Sequence, residues 1–149
     1  DLKAALEDGH IASYVTDFPT EEVINTKGIV AIPHLGASTE ESEDNCAVMA
    51  ANELIDFLES GNIKNSVNFP EAVIPHTGDA RLCIFHNNVA NVIGQITEII
   101  AADKINISDM INKSRGDIAY TIIDIDSTAD DKLLNHLGTI SDIIRIRVL

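Results

Sequence analysis

The chain has 149 residues, of which 24 are acidic and 10 are lysine or arginine, for a formal charge of −14. That surplus repels phosphate backbones and anionic membranes, which argues against nucleic acid and lipid surfaces as partners, and no basic cluster stands out to capture an anionic metabolite. A hydrophobic share of 45% is enough for a real core and argues against disorder, while no apolar run is long enough to span a bilayer. The sequence starts at Asp1 without a basic-then-apolar leader. This fits a truncated chain, a domain excised from something longer, or a processed terminus. Cys46 and Cys83 fall on different elements without CxxC spacing, and read as reduced core thiols of a cytoplasmic protein.

In chain order, "DLKAALEDGH" carries Leu2, Ala5 and Leu6 at helical spacing and stops at Gly9. "IASYVTDF" reads as a short strand, and "KGIVAIPH" as a second whose continuous apolar run predicts cover on both faces. Ser38 and Glu41 have capping-box spacing before a helix that runs to about Ser60. Its predicted apolar stripe is Cys46, Ala50, Leu54, Phe57 and Leu58, and Gly61 ends it. Residues 61–79 contain two prolines and two glycines and show no period, so a linker and domain boundary are expected there.

The remaining residues, 80–149, alternate more cleanly. "RLCIFH" is a strand; Val92, Ile96, Ile99 and Ile100 share a helical face; "INISDMINKS" and "GDIAYTIIDID" are extended. Ser127 to Gly138 reads as a helix with Ala129, Leu133, Leu134 and Leu137 inward. In "DIIRIRVL", Ile144, Ile146 and Val148 alternate with Arg145 and Arg147, the pattern of a sheet with one wet face. The order β-α-β-β-α-β predicts an α+β sandwich, with two helices on one face of a four-stranded antiparallel sheet. Asp124 and Asp126 read as a solvated strand end rather than a metal site.

His34, in "AIPHLGASTEES", stands where a strand ends and a helix is about to begin. Gly36 removes bulk beside the ring, the helix start at Ser38 offers free amides, and ligands of open parallel sheets sit beyond strand carboxyl ends. Glu21, after the turn in "VTDFPTEE", can meet His34 if the two strands are neighbours. A carboxylate on one ring nitrogen would fix the tautomer and leave the other nitrogen for proton transfer. An exposed loop glutamate is the alternative, and the residues alone leave it open.

"YVTDFPTEE", "VAIPHLGASTEESEDNCAVMAANEL" and "NSVNFP" together resemble the D-3-phosphoglycerate dehydrogenases, within the D-isomer-specific 2-hydroxyacid dehydrogenase family. The resemblance implies NAD-dependent oxidation of 3-phosphoglycerate in serine biosynthesis. It makes His34 the acid/base histidine, Glu21 its paired glutamate, and Gly36 a residue brushing the cofactor. It also implies that residues 1–60 end a parallel-sheet, Rossmann-type catalytic region. The family's aspartate two residues before the phenylalanine is Thr16 here, with Asp17 one place later, so cofactor contact is assigned to neither. No GxGxxG occurs, and no arginine precedes Arg81 to match the family's substrate-binding arginine. The chain is thus expected to be the carboxyl-terminal third of such an enzyme, inactive alone.

Residues 80–149 resemble an ACT domain, a small-ligand regulatory module. The resemblance implies that His86, Asn88 and Asn106 bind L-serine between two subunits, although the usual Pro-Gly of that turn is Ala90-Asn91 here. Asn tolerates positive φ, so the backbone can still turn. A homodimer is expected, joined through the edge of "RLCIFH" or of "RIRVL". Two other readings stand beside the enzyme part: a free-standing amino-acid sensor using only residues 80–149, and an interaction module whose edge strands oligomerise a partner. "PHLGAST" separates them, since a pure sensor has no use for His34 and Glu21.

Overall fold

The computed structural model describes residues 1–149, and their contacts divide the chain into two units, Asp1–Met49 and Ala50–Leu149. In the first unit, α1 (Leu2–Glu7) is followed by β1 (Tyr14–Thr16) and β2 (Ile29–Ala31). The two strands pair in parallel, with Thr16 opposite Ala31, which meets the condition that the sequence left open. The expected cover over β2 is missing, since Val30 is half exposed. Within this unit the two-stranded sheet is too small to bury an apolar strand on both sides.

The helix α2 (Glu40–Ser60) ends where its sequence predicts, at Gly61 with φ +70°. Its cap differs by one residue. Thr39, not Ser38, accepts from the Ser42 amide at 3.2 Å, and the two hydroxyls meet at 2.8 Å, so Glu41 plays no part in the box. No residue of α2 is fully buried, and its predicted stripe of Cys46, Ala50, Leu54 and Leu58 is exposed, with Phe57 partly covered. Cys46 is therefore no core thiol; Cys83 is.

The second unit is built on a four-stranded sheet in the order β4-β5-β3-β6. Its strands are β3 (Ala80–Asn87), β4 (Ile107–Arg115), β5 (Ile118–Ile125) and β6 (Ile143–Val148), and every pairing is antiparallel. The helices α3 (Val92–Ala102) and α4 (Asp131–Leu137) lie on one face. Leu82, Ile84, Ile123 and Ile125 point from the strands into a core with Val92, Ile96, Ile100, Leu133 and Leu137. The βαββαβ order and the faces of both helices follow the sequence pattern. The second helix starts four residues later than expected, because Asp130 caps it by accepting from the Leu133 amide at 2.8 Å.

Two expectations need correcting. The face opposite the helices is not wet: Cys83, Tyr120 and Ile122 are buried there under Ile63, Ala72 and Ile74, with Phe57, Phe69 and Phe85 at the margin. The segment 61–79 therefore packs on the sheet as part of the second unit, bridging to itself at Ile63 and Ala72, and the change in contacts falls at Met49–Ala50 instead. Its lack of period concealed three buried apolar residues that cover one sheet face. Secondly, β3 pairs on both sides and offers no edge; the edges are β4 and β6. No helix is long and apolar enough to cross a membrane.

Candidate functional site

Two regions carry the residues singled out by sequence, one in each unit. In the first, the parallel register carries both strand exits to the same end. Ile32 N donates to Thr16 O at 3.0 Å, and the chain leaves β1 at Asp17 and β2 through Pro33 to His34. There His34 Nδ1 lies 2.8 Å from Asp17 Oδ2, and the Phe18 ring meets the imidazole edge-on at 4.7 Å between centroids. A carboxylate only accepts, so the proton of that hydrogen bond is on Nδ1 and Nε2 is left for other work. The ring is more than half exposed, at 56% for its side chain, and is not buried in apolar packing.

Glu21 is not the partner of His34. It opens a run of turns at residues 21–25, and the carboxylate that reaches the ring comes from the strand exit itself. A side chain one residue beyond a strand end is directed by the strand; one four residues further on is directed by the turn. The sequence held the signal, since Asp17 is the acidic residue that departs from the family pattern. Gly36 sits between His34 and α2, its carbonyl accepting from Ser42 Oγ at 3.3 Å. A Cβ added there would meet nothing within 4 Å, so the surface beside it is open. An open flank is compatible with a nicotinamide end nearby, but no glycine-rich strand-to-helix turn exists in these residues to cradle a dinucleotide's phosphates. The residues present do not make a cofactor-holding site.

In the second unit, His86 is 2% exposed, and both ring nitrogens have partners. Nδ1 lies 2.8 Å from the Asn87 carbonyl, which can only accept, and Nε2 lies 2.9 Å from Thr121 Oγ1. Thr121 Oγ1 is in turn 2.8 Å from Asn112 Oδ1. Asn88 is exposed, and its Nδ2 donates to the Gly116 carbonyl at 2.9 Å, tying the turn after β3 to the β4–β5 turn. Asn106 lies at the other end of the sheet, where its amide donates to Asp126 Oδ1 at 3.1 Å. The eight residues of β5 separate the two ends by roughly 27 Å at about 3.4 Å per residue. One chain thus brings His86 and Asn88 together but not Asn106. Asn91 does take the left-handed turn, with φ +70° as the N-cap of α3.

The residues that sequence reading missed are the charged ones inside the second unit. Arg81 and Asp124 are both fully buried, with Nε to Oδ1 at 2.6 Å and Nη2 to Oδ2 at 2.8 Å. Asp124 is thus no solvated strand end. Asp124 Oδ2 also accepts from the Thr77 amide at 2.9 Å, while Arg81 Nη1 donates to the Ser60 carbonyl at 2.7 Å. Burial opposes ionisation of Asp124, yet hydrogen bonds from Arg81 and Thr77 hold its carboxyl below the usual range; the same pair raises the Arg81 guanidinium above its ordinary value. Burial likewise pushes up the Cys83 thiol and the Tyr120 phenol, whose hydroxyl donates to the Gly61 carbonyl at 2.6 Å. Arg147, read as lying on a wet face, donates to the Phe57 carbonyl at 2.7 Å and to that of Leu58. An arginine opening the apolar run "RLCIFH" and an aspartate set between isoleucines in "IIDID" were the available signal.

The chain is an α/β protein with a histidine–carboxylate pair at a parallel strand end and a βαββαβ sheet unit. It is homologous to the D-3-phosphoglycerate dehydrogenases: it is 31% identical to the Escherichia coli K12 enzyme over 97% of this chain and 38% of that one. The Dictyostelium discoideum enzyme is 31% identical over 99% of this chain and 39% of its own length. D-3-phosphoglycerate dehydrogenase 1 of Saccharomyces cerevisiae is 32% identical over 87% and 29%. The chain thus spans about two fifths of the first two relatives. No protein-family model matches it. Among solved structures, the ACT domain from GTP pyrophosphokinase of Chlorobium tepidum aligns with 47% of this chain and 95% of its own, at TM-score 0.42 and 19% identity.

Proposed function

We propose that this chain is the carboxyl-terminal part of a cytoplasmic, NAD-dependent D-3-phosphoglycerate dehydrogenase: the end of its catalytic region joined to an ACT-type regulatory domain. The observation that carries the reading is that one similarity, at 31% identity, runs through both His34 and the βαββαβ sheet. A sensor made of residues 80–149 alone would leave the His34 region outside it. In the whole enzyme His34 takes the hydroxyl proton of 3-phosphoglycerate, while cofactor phosphates and the substrate's anionic groups are held by parts of the enzyme outside these residues. Gly36 leaves room for the cofactor at the rim.

His86, Asn88 and Asn106 are proposed to bind L-serine across a homodimer. The 27 Å or so between the last two within one chain makes a second subunit necessary. The exposed edge β4 supplies a geometry. Pairing two copies of β4 antiparallel, centred on Ile111, sets Asp109 opposite Lys113 of the other copy, a favourable cross-strand charge pair. The same register carries Asn106 of one copy to Gly116 of the other, beside Asn88. The edge β6 has no such consequence for Asn106.

The test is made on the full open reading frame containing this sequence. Substrate-dependent NADH formation from 3-phosphoglycerate is expected, lost in His34→Ala and inhibited by L-serine. An intact, folded protein that forms no NADH overturns the enzyme reading. Isothermal titration of L-serine into the 149-residue chain tests the effector reading separately; no heat at millimolar serine, with the sheet unit folded, removes it.

A further inference from the structure

We propose that the sheet face turned away from α3 and α4 carries a binding site for a small anion with an aromatic body, of the aryl-carboxylate class. A cavity of about 420 Å³ opens there between the end of α2, the 61–79 segment and the strands, within the size range of small-molecule sites. Its apolar wall is Phe57 from α2, Phe69 from the segment, and Phe85 and Ile118 from the sheet. None of His86, Asn88 and Asn106 lines it, so it is separate from the serine site proposed above. Phe69 meets Phe85 edge-on at 5.1 Å between centroids, and Phe85 stands 4.5 Å from Tyr120. Phe57, Phe69 and Phe85 are each only partly covered, so a further ring can stack among them.

The strand period sets two arginines at the mouth of this cavity. Arg145 and Arg147 are two residues apart on β6, and the register places them opposite Phe85 and Cys83, so both project from the same sheet face. Acidic residues outnumber lysines and arginines by 24 to 10, yet none of the chain's ion pairs uses either one. Arg147 directs its two terminal nitrogens to the Phe57 and Leu58 carbonyls, which fixes the guanidinium and leaves Nε–H without a protein acceptor. Arg145 is exposed, and its guanidinium has no protein acceptor at all. An aryl group seated among the phenylalanines displaces water from their faces. Its carboxylate accepts from Arg145 and from Arg147 Nε, charge-assisted hydrogen bonds beside an apolar wall that also relieve the repulsion between two neighbouring cations. A neutral aromatic gains only the first contact, and a small hydrophilic anion only the second.

The probe is 3-phenylpropanoate, titrated into the ¹⁵N-labelled 149-residue chain and followed by the shifts of amides and arginine Nε–H groups. Saturable shifts are expected at Phe57, Phe69, Phe85 and Arg145 and at the Arg147 Nε–H. Both 3-phenylpropanamide and acetate should bind more weakly by about tenfold or more. Arg145→Gln should weaken the probe by roughly tenfold and leave the rest of the spectrum in place. Leu58→Glu, at a wall position that is 54% exposed, keeps the fold and should abolish binding by setting a carboxylate against that of the probe. Isothermal titration of the protein from the full open reading frame should give the same order of affinities. The proposal falls if the folded chain shows no saturable shift, if the amide binds as well as the carboxylate, or if Arg145→Gln makes no difference. It also falls if the same amides shift on dilution without the probe, since a second copy then fills the cavity. Failure of the full-length protein to bind the probe overturns it too, because another part of that chain then lies there.

Discussion

Arg81 on β3 and Asp124 on β5 form a bidentate ion pair with both side chains fully buried, and through it the sheet grips two other segments. The free edge of the guanidinium reaches the Ser60 carbonyl at the end of α2 and the Ile74 carbonyl at 3.2 Å. The second carboxylate oxygen holds Thr77. Each guanidinium nitrogen and each carboxylate oxygen of the pair thus has a partner, which offsets much of the cost of burying the two charges.

Removing one partner is expected to cost more than removing both. Asp124→Ala leaves a buried cation without its counter-charge and should lower unfolding free energy by about 3–5 kcal/mol. The double variant Arg81→Met with Asp124→Leu should recover a substantial part of that loss. Urea unfolding monitored by circular dichroism measures both; a single variant as stable as the unaltered chain would contradict the role given to the pair.

The same pair makes stability fall in acid. Hydrogen bonds from Arg81 and Thr77 outweigh burial and keep the Asp124 carboxyl lower in the folded chain than in the unfolded one. Its contribution is therefore complete above the ordinary carboxylate value of about 3.9 and is lost as pH falls through the lower folded value. Unfolding free energy measured between neutral and strongly acidic pH should drop through that window, and the double apolar variant should flatten the drop.

Gly61 is where α2 turns onto the sheet, and its backbone lies against Cys83. A Cβ there would stand 2.3 Å from Cys83 Sγ, at φ +70°. Gly61→Ala should cost about 1–3 kcal/mol through overpacking and the positive φ. Adding Cys83→Ala should relieve the collision but not the backbone strain. Thermal melts of the single and double variants decide this; a Gly61→Ala chain melting with the unaltered protein would show that the approach is looser than described.

Arg147 satisfies the last carbonyls of α2 from outside the helix. It donates to Phe57 and Leu58 and lies 5.0 Å over the Phe57 ring, while Arg81 takes Ser60. An α-helix leaves its last four carbonyls without intrahelical partners, so these arginines supply what the sequence of α2 lacks, having no basic residue in its own last turn. Arg147→Ala should cost about 1–2 kcal/mol and speed amide exchange in the last turn of α2 and the residues after it. Hydrogen-exchange mass spectrometry checks this, with α3 expected to exchange as before.

Asn91 replaces the turn glycine expected by resemblance and still adopts φ +70°. Asn91→Ala should destabilise the chain by about 1 kcal/mol and Asn91→Gly should be close to neutral, because alanine pays the left-handed steric cost that glycine escapes and asparagine tolerates. Chemical denaturation of both variants tests it; equal stability of the two would mean that the turn is not held at positive φ.

The periodicity of the apolar residues determined the order of elements and the inward faces of α3 and α4, because helix and strand repeats are local properties of a chain; that β1 and β2 are parallel neighbours came from the structure. Position in chain likewise determined that His34 would stand beyond a strand end. Only the tertiary structure decided what covers what. Residues 61–79 have no period because they form no long helix or strand, yet Ile63, Ala72 and Ile74 close a sheet face from which the nearest sequence signal is absent. Arg81 and Asp124 look like two surface charges until β3 and β5 are set side by side, and only then does burial make them partners. The carboxylate that reaches His34 was settled the same way: the register of two parallel strands selects Asp17, since a side chain at a strand exit follows the strand and Glu21 follows its turn.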